Sequence, residues 1–288
     1  MPHPSPAWLD AQYNNRARIP AHPEIFKRWS DASALAREQS RCSLDLPYGP
    51  TPAETLDVFD TDRPDAPVLV FIHGGWWRSL DKCDHSFIAP AFTRAGAMVV
   101  VPNYALCPVV GIEAIALQMV RALAWTYRHA AERGGNPRRI VVAGHSAGGH
   151  LAAMMLCCHW TAVAADLPAQ LVQSALSISG LFDLEPLRRT PFLQADLKLT
   201  RASVARLSPV NFPAPPHGRL YATVGGDESE EFLRQNRLIR EAWGAGAVPV
   251  CETVPGRHHL DVLHALADPD DRFHASALEL LGLPDGRE

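Results

Sequence analysis

The sequence predicts an α/β fold: one sheet of about eight strands, mostly parallel, with helices on both faces. Three observations lead there. Short apolar runs bounded by turn residues recur along the chain at 68–73, 98–102, 140–143, 175–179, 220–224 and 250–254, as buried strands do. Helical patterns separate them, and strands alternating with helices give a parallel sheet covered on both sides. The 288 residues, 47% hydrophobic and 20% charged, are enough to bury one sizeable core.

Taken in order, residues 1–40 read as an extension that packs over the sheet or its mouth, with amphipathic spacing through 23–39 (Ile25, Trp29, Leu35). Residues 43–46 and 54–60 form a leading antiparallel pair and complete the eight strands. Helices follow at 84–95, 111–133, 147–159, 230–243 and 259–267. The clearest is 111–133, which places Ile112, Ile115, Ala116, Met119, Leu123 and Tyr127 on one face. Residues 181–216 have many prolines and no strand, and read as an insertion that forms a small lid. No repeat or low-complexity tract breaks the chain, so residues 1–288 read as a single domain.

Charge narrows the partners. Lys and Arg number 27 against 31 Asp and Glu, a net charge of −4 without a basic block, which argues against nucleic acid and an anionic membrane surface and for a small molecule. No apolar run approaches bilayer length, and Met1-Pro2-His3-Pro4-Ser5-Pro6 lacks the basic-then-apolar layout of a signal peptide, so a cytoplasmic protein is expected. The six cysteines show no CxxC pairing and no disulfide framework. No HExxH or facial-triad spacing implies a metal, and no GxGxxG or GK[ST] implies a nucleotide cofactor. A homodimer stays open, because apolar surface patches cannot be assigned from one sequence.

Two motifs carry chemistry. The strand 140–143 runs into Gly144-His145-Ser146-Ala147-Gly148-Gly149 and then a helical run, which is GxSxG in strand–turn–helix context. A turn tight enough to push a serine hydroxyl out of the backbone needs small residues two before and two after it. Upstream, strand 68–73 ends in His73-Gly74-Gly75-Trp76-Trp77, where two glycines let backbone N–H groups approach a ligand. Gly74 or Gly75, with Ala147, are therefore the expected oxyanion donors. The order Ser, acid, His then requires a carboxylate and a base after late strands. Asp227 and Glu228 compete for the first role and His258 and His259 for the second. His73 and His145 read as loop-orienting groups. Trp76, Trp77, Tyr104 and Phe182 follow strand ends at the face where ligands bind, as a substrate pocket or as core.

These residues resemble the α/β-hydrolase fold, and within it the esterase and arylformamidase branch that includes kynurenine-formamidase-like enzymes. The resemblance covers most of the chain. It rests on HGGWW (73–77), GHSAGGHLA (144–152), SGLFDLEPL (179–187), ESEEFLRQ (228–235) and HHLD (258–261). It implies Ser146 as nucleophile, His259 as base and Glu228 as the preferred acid beside Asp227. It also implies N-formyl-L-kynurenine as substrate and no cofactor. A carboxylesterase for short acyl esters is the rival reading, and a non-catalytic hydrolase-fold binding protein is a third.

Overall fold

In the computed structural model, residues 4–284 are described; the two ends of the expected domain, 1–3 and 285–288, lie outside them. Eight strands form one sheet: β1 (Cys42–Pro47), β2 (Thr55–Phe59), β3 (Ala66–Ile72), β4 (Met98–Pro102), β5 (Gly135–His145), β6 (Val172–Ile178), β7 (Leu220–Gly225) and β8 (Val250–Val254). Their order is β1-β2-β4-β3-β5-β6-β7-β8. β2 pairs antiparallel with β1 and with β4, and every other pairing is parallel.

Alternation along the strands sorts the core into two layers. Val68, Val70 and Ile72 of β3 meet one set of helices, principally Ile112–His129, Ala147–Leu156 and Glu230–Ala247. Leu69 and Phe71 meet the other, built from His22–Gln39, Ala89–Arg94, Val262–Ala267 and Arg272–Leu280. A strand buried on both faces reads as an unbroken apolar run, which is why β3 and β4 were legible in the sequence.

Several boundaries differ from the expectation. β5 begins at Gly135 because Gly135 pairs with Ala66 of β3, although the following Asn136-Pro137-Arg138-Arg139 is polar and outside the apolar core. The helix expected at 84–95 is two short 3₁₀ turns followed by Ala89–Arg94. The helix expected from 259 starts at Val262, so His259 sits in the loop before it. On His22–Gln39 the buried stripe is Ile25, Trp29, Ser33 and Ala36; Leu35 points outward and is 49% exposed. The last helix, Arg272–Leu280, had not been expected. Among the described residues no helix is long and apolar enough to cross a membrane.

The extension and the insertion meet beside the C-terminal ends of the strands. Phe192 N–H donates to Asp10 Oδ1 (3.2 Å), and Tyr13 O–H donates to Glu231 Oε2 (2.6 Å) on the helix after β7. The insertion holds three short α-helices, Glu185–Arg188, Pro191–Leu197 and Arg201–Leu207, and a 3₁₀ turn at Pro209–Asn211.

The sharpest feature is the turn from β5 into Ala147–Leu156. Ser146 alone links them, at φ 56° and ψ −115°. A Cβ on Gly144 would stand 2.1 Å from Gly148 O, and one on Gly148 would stand 2.0 Å from Ile72 O. Both obstacles are backbone, so neither can swing aside. Gly148→Ala is expected to lower unfolding free energy by about 3 kcal/mol in chemical denaturation; a change within about 0.5 kcal/mol would mean that β3 can withdraw freely.

Candidate active site

The turn lifts Ser146 to the end of the sheet. Its N–H donates to Ile178 O (2.8 Å), which holds the turn against β6. The chain leaving β3 passes beside it: a Cβ on Gly74 would lie 2.9 Å from His145 O and 3.2 Å from Ser146 Cβ. Gly75 has φ +104°, and a Cβ there would meet Ser79 O at 2.0 Å. Only glycines fit at these two places. Ala147 opens the following helix, so its N–H has no intrahelical acceptor.

Two aromatic groups brace this loop from behind. Tyr104 O–H donates to His73 O (2.9 Å) and Gly74 O (3.2 Å), and its ring stacks on His73 at 4.2 Å. His73 Nδ1 lies 2.8 Å from Gly74 O, and burial holds the imidazole below the usual histidine range. His145 Nε2 is 2.7 Å from His259 O and supports the backbone of the opposite loop. Burial, with the neighbouring His259 and His85, holds its pKa well below the usual value. Both histidines orient loops, as expected.

The competing pairs are separated by geometry. His259 Nδ1 stands 2.6 Å from Glu228 Oε2, with both side chains buried. Glu228 Oε1 accepts from Gly225 N–H (2.8 Å) and from Ser179 Oγ. Asp227 is exposed and contributes only its N–H, to Arg257 O (3.0 Å). His258 turns away, its Nδ1 accepting from the N–H groups of Leu260 and Asp261. The turn after β7 (Glu228 N–H to Gly225 O, 3.2 Å) carries residue 228 inward and leaves 227 in solvent. The His259 ring lies against His145 (4.6 Å) and Phe232 (4.4 Å), and with Nδ1 on Glu228 its Nε2 faces away from the carboxylate. Among the described residues Ser146 Oγ has no hydrogen-bond partner.

Two adjoining cavities open here. One, of about 40 Å³, is lined by Ser146, His259, His145, Gly75, Trp76 and Leu80 among others. The second, of about 330 Å³, is walled by Asn14 from the extension, Arg78 and Trp76 from the loop after β3, and Phe192 and Asp196 from the insertion. Asn15, Arg16, Trp76 and Ser79 border both.

Of the four aromatic residues read as pocket or core, Trp76 borders both of these cavities. Trp77, Tyr104 and Phe182 are fully buried. Trp77 stands edge-on to His150 at 5.0 Å, Tyr104 braces the glycine loop, and Phe182 packs in the core. Position in the chain put all four near strand ends, but side-chain direction sends neighbours Trp76 and Trp77 into different surroundings. Sequence reasoning missed Ser179, Asn15, Arg16, Arg78 and Asp196. Ser179 stood at the predicted end of a strand and so carried a signal. The others lie on the extension, a loop and the insertion, where no periodicity or motif marks them.

A family model described as the α/β-hydrolase fold matches residues 69–210. The chain is 28% identical over 272 residues to kynurenine formamidase of Danio rerio, covering 92% of this chain and 89% of that protein. It is 30% identical over 257 residues to esterase LipQ of Mycobacterium tuberculosis, covering 77% and 58% respectively. A solved structure from a Silicibacter species, provisionally described as a thioesterase, superposes with a TM-score of 0.80 at 33% identity, covering 93% of this chain and 97% of that one. With the sheet order, the serine turn and these likenesses in agreement, the chain belongs to the α/β-hydrolase family and is an enzyme of the hydrolase type.

Proposed function

We propose that the chain is a serine hydrolase that cleaves an aryl formamide through a formyl-enzyme, with N-formyl-L-kynurenine as the leading substrate. The observation that carries this reading is the convergence of Ser146, the Glu228–His259 pair and the glycine loop on a cavity of about 40 Å³, much smaller than the neighbouring one of about 330 Å³. A formyl group is the smallest acyl group, and such a chamber suits it. The formamidase relative supports the same choice.

In this reading Ser146 Oγ attacks the formyl carbon while His259 Nε2 takes its proton. Glu228 accepts from Nδ1–H, fixes the tautomer and stabilises the imidazolium that forms. The oxyanion takes hydrogen bonds from the N–H groups of Gly75 and Ala147, with Gly74 the alternative donor. Each such bond would contribute about 3–4 kcal/mol to transition-state stabilisation. The C–N bond then breaks, and the proton on His259 goes to the departing aryl amine. Water, deprotonated by His259, attacks the formyl ester; the C–Oγ bond breaks, His259 returns the proton to Ser146 Oγ, and formate leaves. A hydrogen bond from Ser146 Oγ to His259 Nε2 is expected to form once substrate fills the cavity.

A carboxylesterase acting on short acyl esters would use the same groups, and the esterase relative favours that second reading.

The assay compares kcat/KM on N-formyl-L-kynurenine and p-nitrophenyl acetate. Ser146→Ala is expected to lose at least ~10⁴-fold on both. Glu228→Gln, which holds the ring but no longer balances the imidazolium, should lose about 10⁴-fold. Full activity in Ser146→Ala would end the serine mechanism, whereas a wild type inactive on both substrates and unlabelled at Ser146 by a fluorophosphonate would favour a binding role. Wild-type turnover of the ester alone would leave a serine esterase.

Acyl length gives an independent check. From p-nitrophenyl acetate to the butyrate, kcat/KM is expected to fall at least about 10-fold, because each methylene must enter the small chamber. A flat or rising series would place the acyl group in the larger cavity and favour the esterase.

A further inference from the structure

The border between the two cavities holds a donor that the fold leaves without an acceptor. Asn15 is only 7% exposed, its Nδ2 is buried with no hydrogen-bond partner, and the side chain borders both chambers. A buried amide donor without an acceptor is costly, so such a group points to something that completes it.

Its neighbour Arg16 is a cation without a counter-charge. The guanidinium donates to Ser79 Oγ at 3.5 Å and lies 5.5 Å from the Phe26 ring centre, and it joins no ion pair among the described residues. Arg78, on the far wall, differs: Asp196 neutralises it, and Phe192 lies against it. The larger cavity is therefore lined by two arginines and one aspartate, and the charge left over is that of Arg16.

We propose that Asn15 and Arg16 select the leaving group: Asn15 Nδ2 donates to an acceptor oxygen on it, and Arg16 binds a carboxylate at its outer end. The favoured substrates are then aryl formamides whose ring substituent carries a carbonyl and ends in an anion. This assignment rests on the serine-hydrolase reading and adds the residues that discriminate among its substrates. They come from the short helix Asn15–Arg18 in the N-terminal extension, so specificity is supplied by a segment outside the catalytic scaffold.

Three probes with a common formyl group separate the contributions: formanilide, an ortho-acyl formanilide ending in a primary amide, and the same molecule ending in a carboxylate. For the wild type, kcat/KM is expected to rise about 10-fold or more at each step. Asn15→Ala should erase most of the first step, and Arg16→Gln most of the second. If Asn15→Ala does not fold, Asn15→Asp, isosteric but without the donor, takes its place. Misfolding or a loosened site would lower all three substrates by one factor, so equal losses would overturn the proposal. So would a wild type that treats the three alike, or one that cleaves none of them while retaining Ser146-dependent hydrolysis of p-nitrophenyl acetate. That last result would leave the serine mechanism intact. Loss of the underlying reading has a different signature, p-nitrophenyl acetate hydrolysis that survives in Ser146→Ala.

Discussion

Everything at the active end of this molecule depends on backbone clearance at one turn. β5 must hand over to a helix through the single residue Ser146, held in a left-handed conformation, while β3 runs alongside. Gly144 and Gly148 make that possible because carbonyl oxygens occupy the places where their Cβ atoms would sit. The turn in turn sets the path of the glycine loop after β3, since Gly74 passes within contact of Ser146. A side chain of any size at these places would push Ser146 away from the glycine loop. The strain at Ser146 is tolerated because the sheet and helix on either side over-determine its position.

Around that turn, buried polar groups are arranged so that most catalytic candidates have a partner with no other task. Glu228 is held on one oxygen by Ser179 and Gly225 N–H, which leaves the other for His259. His145 and Tyr104 bond to backbone carbonyls of the two opposing loops. In a low-dielectric interior such bonds are strong when satisfied and costly when broken, so they fix the loops as a unit. Ser146 Oγ and Asn15 Nδ2 stand outside this satisfied network, and both border the small cavity.

The sheet positions Ser146, Glu228 and His259, whereas the outer walls of the cavities come from elsewhere. Helices at the N-terminus and the insertion after β6 meet through Asp10–Phe192, and between them and the glycine loop lies the larger cavity. Such a division lets the wall vary without disturbing the Ser146 turn, because the contacts that hold the wall are separate from those that hold the turn. It also explains why a formamidase and an esterase can share the scaffold.

What the sequence determined by itself follows from local physics. Buried parallel strands need unbroken apolar runs, and a serine turn needs glycines at fixed offsets, so the sheet, Ser146 and the Gly74-Gly75 loop were all readable from linear spacing. Spacing alone narrowed the candidate carboxylate and imidazole to a pair each, and only the resemblance preferred Glu228 and His259. Choosing Glu228 over Asp227 and His259 over His258 depended on how the turns after β7 and β8 point their side chains, which is decided by hydrogen bonds to residues far away in the chain. The same limit explains the aromatic residues: Trp76 and Trp77 are adjacent and chemically alike, and only packing sends one to the cavity and the other against His150. Asn15 and Arg16 carried no signal at all. Their place beside Ser146 exists only once the N-terminal helices fold back across the sheet, a juxtaposition of segments some 130 residues apart that no local pattern encodes.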